Sequence, residues 1–157
     1  MSTVIFFPVV DNIGVVGSMA AALKKSNKVT KRNLITEAIL TELSKEILNG
    51  NQVAAILGNP CEFPGKLIEE LSLVTALRYW NGQMTYNEGD CIMNNLYIYW
   101  TTNKGLEKQY DFPSVAWECY LAFDAGEFYR GHDDKSIDPS EKYTRPLVES
   151  LLSKTSK

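Results

Sequence analysis

The sequence predicts a single α+β domain that is rich in helix and carries a small, largely antiparallel sheet. Residues 34–47 and 67–80 repeat apolar side chains at steps of three and four, as the buried face of a helix does. Residues 96–101 instead alternate along the chain, which is typical of a strand. The chain has 157 residues, enough for one domain with its own core, and we predict that residues 153–157 form a frayed tail.

The first elements predicted are a strand and two helices. Residues 3–10 (TVIFFPVV) are β-branched and aromatic, which favours a short buried strand. Residues 15–25 follow as a short helix with a cationic end. The first long helix comes next, and Asn49 with Gly50 predicts its end. Residues 52–57 are an apolar run without a clear period.

The second long helix and the predicted sheet follow. Pro64 opens the helix, and an Asn-Gly pair at residues 81–82 ends it. Beyond it we predict the strand over 96–101, a hairpin partner over 91–93 and a further strand over 84–86.

Prolines mark the remaining helices. Pro113 opens a third long helix that is predicted to run to about Arg130 and, being apolar on nearly all sides, to be central. Asp138 is predicted to cap a last helix with Pro139 at its first position. Pro146 should end or kink that helix.

Composition excludes several classes of function. The net charge of -3 argues against direct binding of nucleic acid. The three cysteines are far apart and form no C-x-x-C pair, which indicates reduced thiols in a cytoplasmic protein rather than disulfides or zinc. His132 is the only histidine, so most metal and hydrolase sites are disfavoured. We therefore predict no catalytic residues, no metal, no cofactor and no contact with a membrane.

A turn near the N-terminus supports an alternative function. Gly14 to Ser18 follows the predicted first strand and opens a helix, a context that suits an anion at the helix start. The turn lacks the spacing of a dinucleotide fingerprint and the lysine of a P-loop. It leaves open a small enzyme or a domain that binds a nucleotide or phosphate. A structural or regulatory subunit of a complex is a further alternative.

The last third of the chain, residues 110–143, is both acidic and aromatic. Eight carboxylates lie there, interleaved with aromatic side chains. Such a surface suits a basic partner protein, because opposite charge steers association and aromatic rings anchor it. The predicted partner-binding residues are Asp124, Glu127, Phe128, Tyr129, Asp133, Asp134, Asp138 and Glu141.

In this profile the chain resembles the small acidic immunity proteins of bacterial contact-dependent and polymorphic toxin systems. The features in common are one α+β domain, free cysteines, the lack of a catalytic set and the stretch DAGEFYRGHDDKSIDPSE at residues 124–141. The resemblance implies a cognate toxin, often a nuclease, that is neutralised when its active site is occluded. The leading hypothesis is therefore an inhibitory protein that binds one basic toxin.

Overall fold

A computed structural model of the chain describes residues 30–155. Contacts divide the chain into residues 1–36 and 37–157. Of the first unit, residues 30–36 are described and are helical. The strand predicted over 3–10, the helix over 15–25 and the turn from Gly14 to Ser18 lie outside the described residues. The single domain stays a prediction.

Helices form most of the described part of the chain, and the longest connection between them is the segment 125–139. A π-helical turn, Ser140–Thr144, leads directly into the last helix. The helices are α1 (30–43), α2 (Gly50–Ile56), α3 (Gly65–Trp80), α4 (Tyr86–Thr102), α5 (Leu106–Gln109), α6 (Ser114–Asp124) and α7 (Arg145–Thr155).

The predicted sheet is wrong, because residues 30–155 contain no strand. The three segments assigned to strands, 84–86, 91–93 and 96–101, lie in α4 or at its start. Thr85 accepts a hydrogen bond from the Glu88 backbone N–H, and the Glu88 carboxylate accepts one from the Thr85 backbone. This capping box starts a helix. The α+β assignment is therefore replaced by an all-helical fold over the described residues.

The predicted end of the first long helix is also wrong. Helix α1 ends at residue 43, and Asn49 instead starts α2, because its side chain accepts from the backbone N–H groups of Asn51 and Gln52. Gly50 packs closely against Thr102, where a Cβ would collide with the threonine hydroxyl. In this Asn-Gly pair, Asn49 therefore caps the start of α2, and Gly50 allows close packing of α2 against α4.

The second long helix is confirmed, whereas the third is shorter than predicted. Helix α3 begins after Pro64 and ends at Trp80. Helix α6 begins after Pro113 but ends at Asp124 rather than near Arg130. Gly126 is buried just beyond its end, and a Cβ there would lie 2.9 Å from the Ser140 Cα. The chain turns away at this contact with the π-helical turn.

The start of the last helix agrees with the sequence. The Asp138 carboxylate accepts from the Ser140 backbone N–H at 2.8 Å, and Pro139 has helical backbone angles. The π-helical turn ends immediately before Arg145, one residue ahead of Pro146. A proline has no N–H to donate and crowds the carbonyl four residues back, so the local change of hydrogen bonding relieves that conflict.

Helix α4 is at the centre of the core and packs against α2, α3 and α6. Its buried side chains follow helical spacing and include Ile92, Met93, Leu96 and Tyr99. Helix α6 contributes Cys119 and Phe123 to the same core. Among the described helices, none has the length and apolar character needed to cross a membrane.

Candidate functional site

The predicted partner-binding residues follow the end of α6, and their carboxylates differ in how they are used. Asp133 is part of an internal network, with a side chain only 1% exposed. It accepts hydrogen bonds from the Lys142 ammonium at 2.6 Å, the Tyr143 hydroxyl at 2.5 Å and the Arg130 backbone N–H at 2.7 Å. These donors hold the pKa of the Asp133 carboxyl well below its usual range. Asp133 therefore fixes the loop and presents no free charge.

Three further acids are committed to local contacts. Asp138 accepts from the Ser140 hydroxyl and backbone N–H, and these bonds lower its pKa. Asp134 accepts from the Ser136 backbone N–H, which lowers its pKa in the same way. Glu141 lies 3.8 Å from Arg145, one turn further along. All three remain exposed, but their contacts are local and stabilise the turn and the start of the last helix.

Asp124 and Glu127, in contrast, join a carboxylate that the sequence did not single out. Asp90, in the first turns of α4, is influenced electrostatically by both of them. The Tyr86 hydroxyl donates to the Phe123 carbonyl at 2.7 Å and fixes the start of α4 against the end of α6. Within residues 30–155, none of these three carboxylates forms an ion pair.

The environment of Asp90 disfavours its charged form. Burial raises the pKa of Asp90 to about 6, and the negative charges of Glu127 and Asp124 add to the shift. The Asn94 side chain donates a hydrogen bond to Asp90 at 3.1 Å, and this bond partly opposes the rise in the pKa of Asp90. A cation placed among the three carboxylates would relieve this repulsion.

Aromatic side chains continue the same surface along α4 and α6. The rings of Tyr97 and Tyr120 are stacked with centroids 4.4 Å apart, and Trp117 stacks on Tyr120 at 5.5 Å. Trp117 is 39% exposed and Leu121, one turn further on, is 43% exposed. Burial raises the pKa of Tyr120, and the charges of Asp124, Glu127 and Asp90 raise it further, so the rings and acids are neighbours.

We call this region the acidic–aromatic surface. Its members lie on one flank of α4, one flank of α6 and the turn after α6: Asp90, Tyr97, Trp117, Tyr120, Asp124 and Glu127. The predicted residues Phe128 and Tyr129 come directly after Glu127 and are 72% and 45% exposed. The prediction that α6 is central was therefore only half right, because one side of the helix is apolar and exposed.

Comparison with known proteins gives no assignment for this chain: no family model, no curated protein and no solved structure matches it.

Asp90 supplies a first testable prediction, on stability. The folded pKa of about 6 lies above the ordinary value of 3.8, so the folded state binds the proton more tightly. Stability is then lost as pH rises through this interval. Allowing for solvent screening, we expect Asp90→Asn to stabilise the fold at pH 7 by about 1 kcal/mol. The gain should vanish near pH 4, as measured by urea unfolding at both pH values.

The matched control is Asp124→Asn, which neutralises an exposed carboxylate of the same surface. Its effect should stay within about 0.5 kcal/mol at either pH, as for most surface substitutions. An Asp90→Asn variant that is no more stable than the wild type at pH 7 would contradict the account of Asp90.

Proposed function

We propose that this chain is a cytoplasmic inhibitory protein of the immunity type, which binds one basic toxin through the acidic–aromatic surface. The observation that carries the proposal is the half-buried Asp90, set beside Asp124 and Glu127 with no cation paired to any of them in residues 30–155. An arginine or lysine from a partner would supply the missing positive charge.

The aromatic half of the surface supports the same proposal. Interface anchors are enriched in tryptophan, tyrosine and arginine, and they concentrate in the part of an interface that loses water. Trp117 is 39% exposed, and the Tyr97 and Tyr120 rings stack on each other. A guanidinium from the partner could lie over these rings and still reach the carboxylates.

The position of the basic surface on a nuclease explains why binding to it would inhibit the enzyme. Enzymes that cleave nucleic acids bind phosphates through lysine and arginine side chains, so their substrate site is itself the basic surface. A rigid acidic face that covers this site competes with the substrate. This mode of inhibition needs no catalytic group on the inhibitor. A nuclease is the proposed class of partner.

The experiment is affinity capture from the cells that make this protein, followed by expression of the captured protein alone and together with this chain. We expect a basic protein that is harmful when expressed alone and harmless when co-expressed. The proposal is wrong if the captured partner is acidic, or if co-expression leaves its toxicity unchanged.

A further inference from the structure

A cleft of about 570 Å³ lies between the turn after α2 and the segment after α4. It is lined by residues of α2, α4 and α5 together with residues 59–63, residues 103–104 and Tyr110. Its volume is within the roughly 300–1,000 Å³ that small-molecule sites occupy. None of the residues of the acidic–aromatic surface lines it.

The backbone around the cleft is unusual on both sides. Asn59 and Lys104 have φ angles of 47° and 53°, and they are the two non-glycine residues with positive φ among residues 30–155. Both line the cleft. Left-handed backbone is unfavourable for a residue with a Cβ such as Lys104, whereas asparagine tolerates it better. The turn at Lys104 is thus held in the less favourable conformation of the two.

Aromatic rings form one wall of the cleft. Phe63 stacks with Tyr110 at a centroid distance of 5.3 Å and lies nearly parallel to Tyr99 at 6.4 Å. The Trp100 ring N–H donates to the Tyr110 carbonyl at 2.8 Å and anchors that end of the wall. A planar ring entering the cleft would therefore meet aromatic faces that are already fixed.

The hydroxyl of a largely buried tyrosine has no hydrogen-bond partner among the described residues at this wall. Tyr99 is only 3% exposed, lines the cleft and forms no hydrogen bond through its hydroxyl within residues 30–155. Thr144 Oγ1 is the one fully enclosed side-chain polar atom without a partner in that part of the chain. The Tyr99 hydroxyl is therefore not fully enclosed, and it belongs to a residue that lines the cleft. Burial raises its pKa, so it stays protonated and able to donate.

Side-chain amides and two opposite charges, those of Lys104 and Glu62, complete the lining. Asn51 and Gln109 form no side-chain hydrogen bonds within the described residues, and Asn103 uses only its amide nitrogen, towards the Gly50 carbonyl at 3.4 Å. Amides that both donate and accept suit the edge of a nucleobase, and aromatic rings suit its face. Lys104 can meet a phosphate as a point charge.

We infer that this cleft binds a free nucleotide, with the base against Phe63 and Tyr110, hydrogen-bonded to the Tyr99 hydroxyl, and the phosphate near Lys104. This site is separate from the proposed toxin surface and does not depend on it. The chemistry selects a planar base that carries donors and acceptors, joined to an anionic group.

The test is calorimetric titration of the protein with the four ribonucleoside 5′-monophosphates and with the matching nucleosides. We expect at least one nucleotide to bind at millimolar concentration or below. Tyr99→Phe should weaken that binding about tenfold, because it leaves the base edge unpaired. Lys104→Asn, which keeps a residue that tolerates left-handed backbone, should reduce nucleotide affinity to that of the nucleoside.

Tyr129→Phe is the matched control, since it removes a hydroxyl outside the cleft that donates to the Lys135 carbonyl. Alkylation gives a second readout, because Cys61 is exposed at the cleft, whereas Cys119 is buried and its pKa is raised to about 12. The bound nucleotide should slow alkylation of Cys61 in the wild type. The inference is overturned if no nucleotide binds, if the bound nucleotide does not protect Cys61, or if the Tyr99→Phe variant binds the nucleotide as tightly as the wild type does.

Discussion

Replacing Asn95 with alanine is expected to destabilise the fold by about 3–5 kcal/mol. Asn95 is fully buried in α4, and its side-chain nitrogen donates to the Leu43 and Glu46 carbonyls at 2.9 and 2.8 Å. Its side-chain oxygen accepts from the Leu48 N–H at 2.8 Å. One amide thus satisfies three backbone groups of the connection between α1 and α2. Urea unfolding followed by circular dichroism measures the loss.

Asn94→Ala is the matched control, because the neighbouring asparagine is half-buried and makes a single side-chain hydrogen bond, to Asp90. We expect it to change stability by about 1 kcal/mol or less. If Asn95→Ala were as mild as Asn94→Ala, the connection between α1 and α2 would not depend on this amide, and the position of α4 in the core would need another explanation.

The fold could be predicted from the sequence where apolar spacing and boundary residues agree. Helix α3 has both, with Pro64 before it and Asn81-Gly82 after it, and it is as predicted. In α4 the aromatic and β-branched residues around Ile98 resemble a strand, and this local preference concealed the helical spacing of the buried residues. The Thr85–Glu88 capping box was a readable signal that favoured the helix.

The candidate site could be predicted only in part from the sequence. Asp124 and Glu127 were predicted, and they lie in the acidic–aromatic surface. Asp133 was predicted as a binding residue, yet its charge is used by Lys142, a pairing that depends on the loop folding back. Asp90 was missed, because its approach to Asp124 results from the packing of α4 on α6. The charge composition of a sequence does not show which carboxylates the fold brings close together.

The second large effect is expected from reversing two charges of the acidic–aromatic surface. Asp124→Lys combined with Glu127→Lys should weaken binding of the captured basic partner by about 100-fold or more, since each lost pair leaves a partner cation uncompensated. Both side chains are exposed, so the fold itself should be little affected. Titration calorimetry at low and at physiological salt measures the change, and the salt dependence should fall with it.

The control makes the same change of charge elsewhere, with Glu107→Lys on α5 and Glu149→Lys on α7, both exposed and without ion pairs within residues 30–155. Calorimetric titration of the captured partner into these two double variants and the wild type is the most direct test of the acidic–aromatic surface. We predict affinity close to the wild type for the Glu107 and Glu149 variant and a collapse for the Asp124 and Glu127 variant. Equal affinity for all three proteins would contradict the proposed interface.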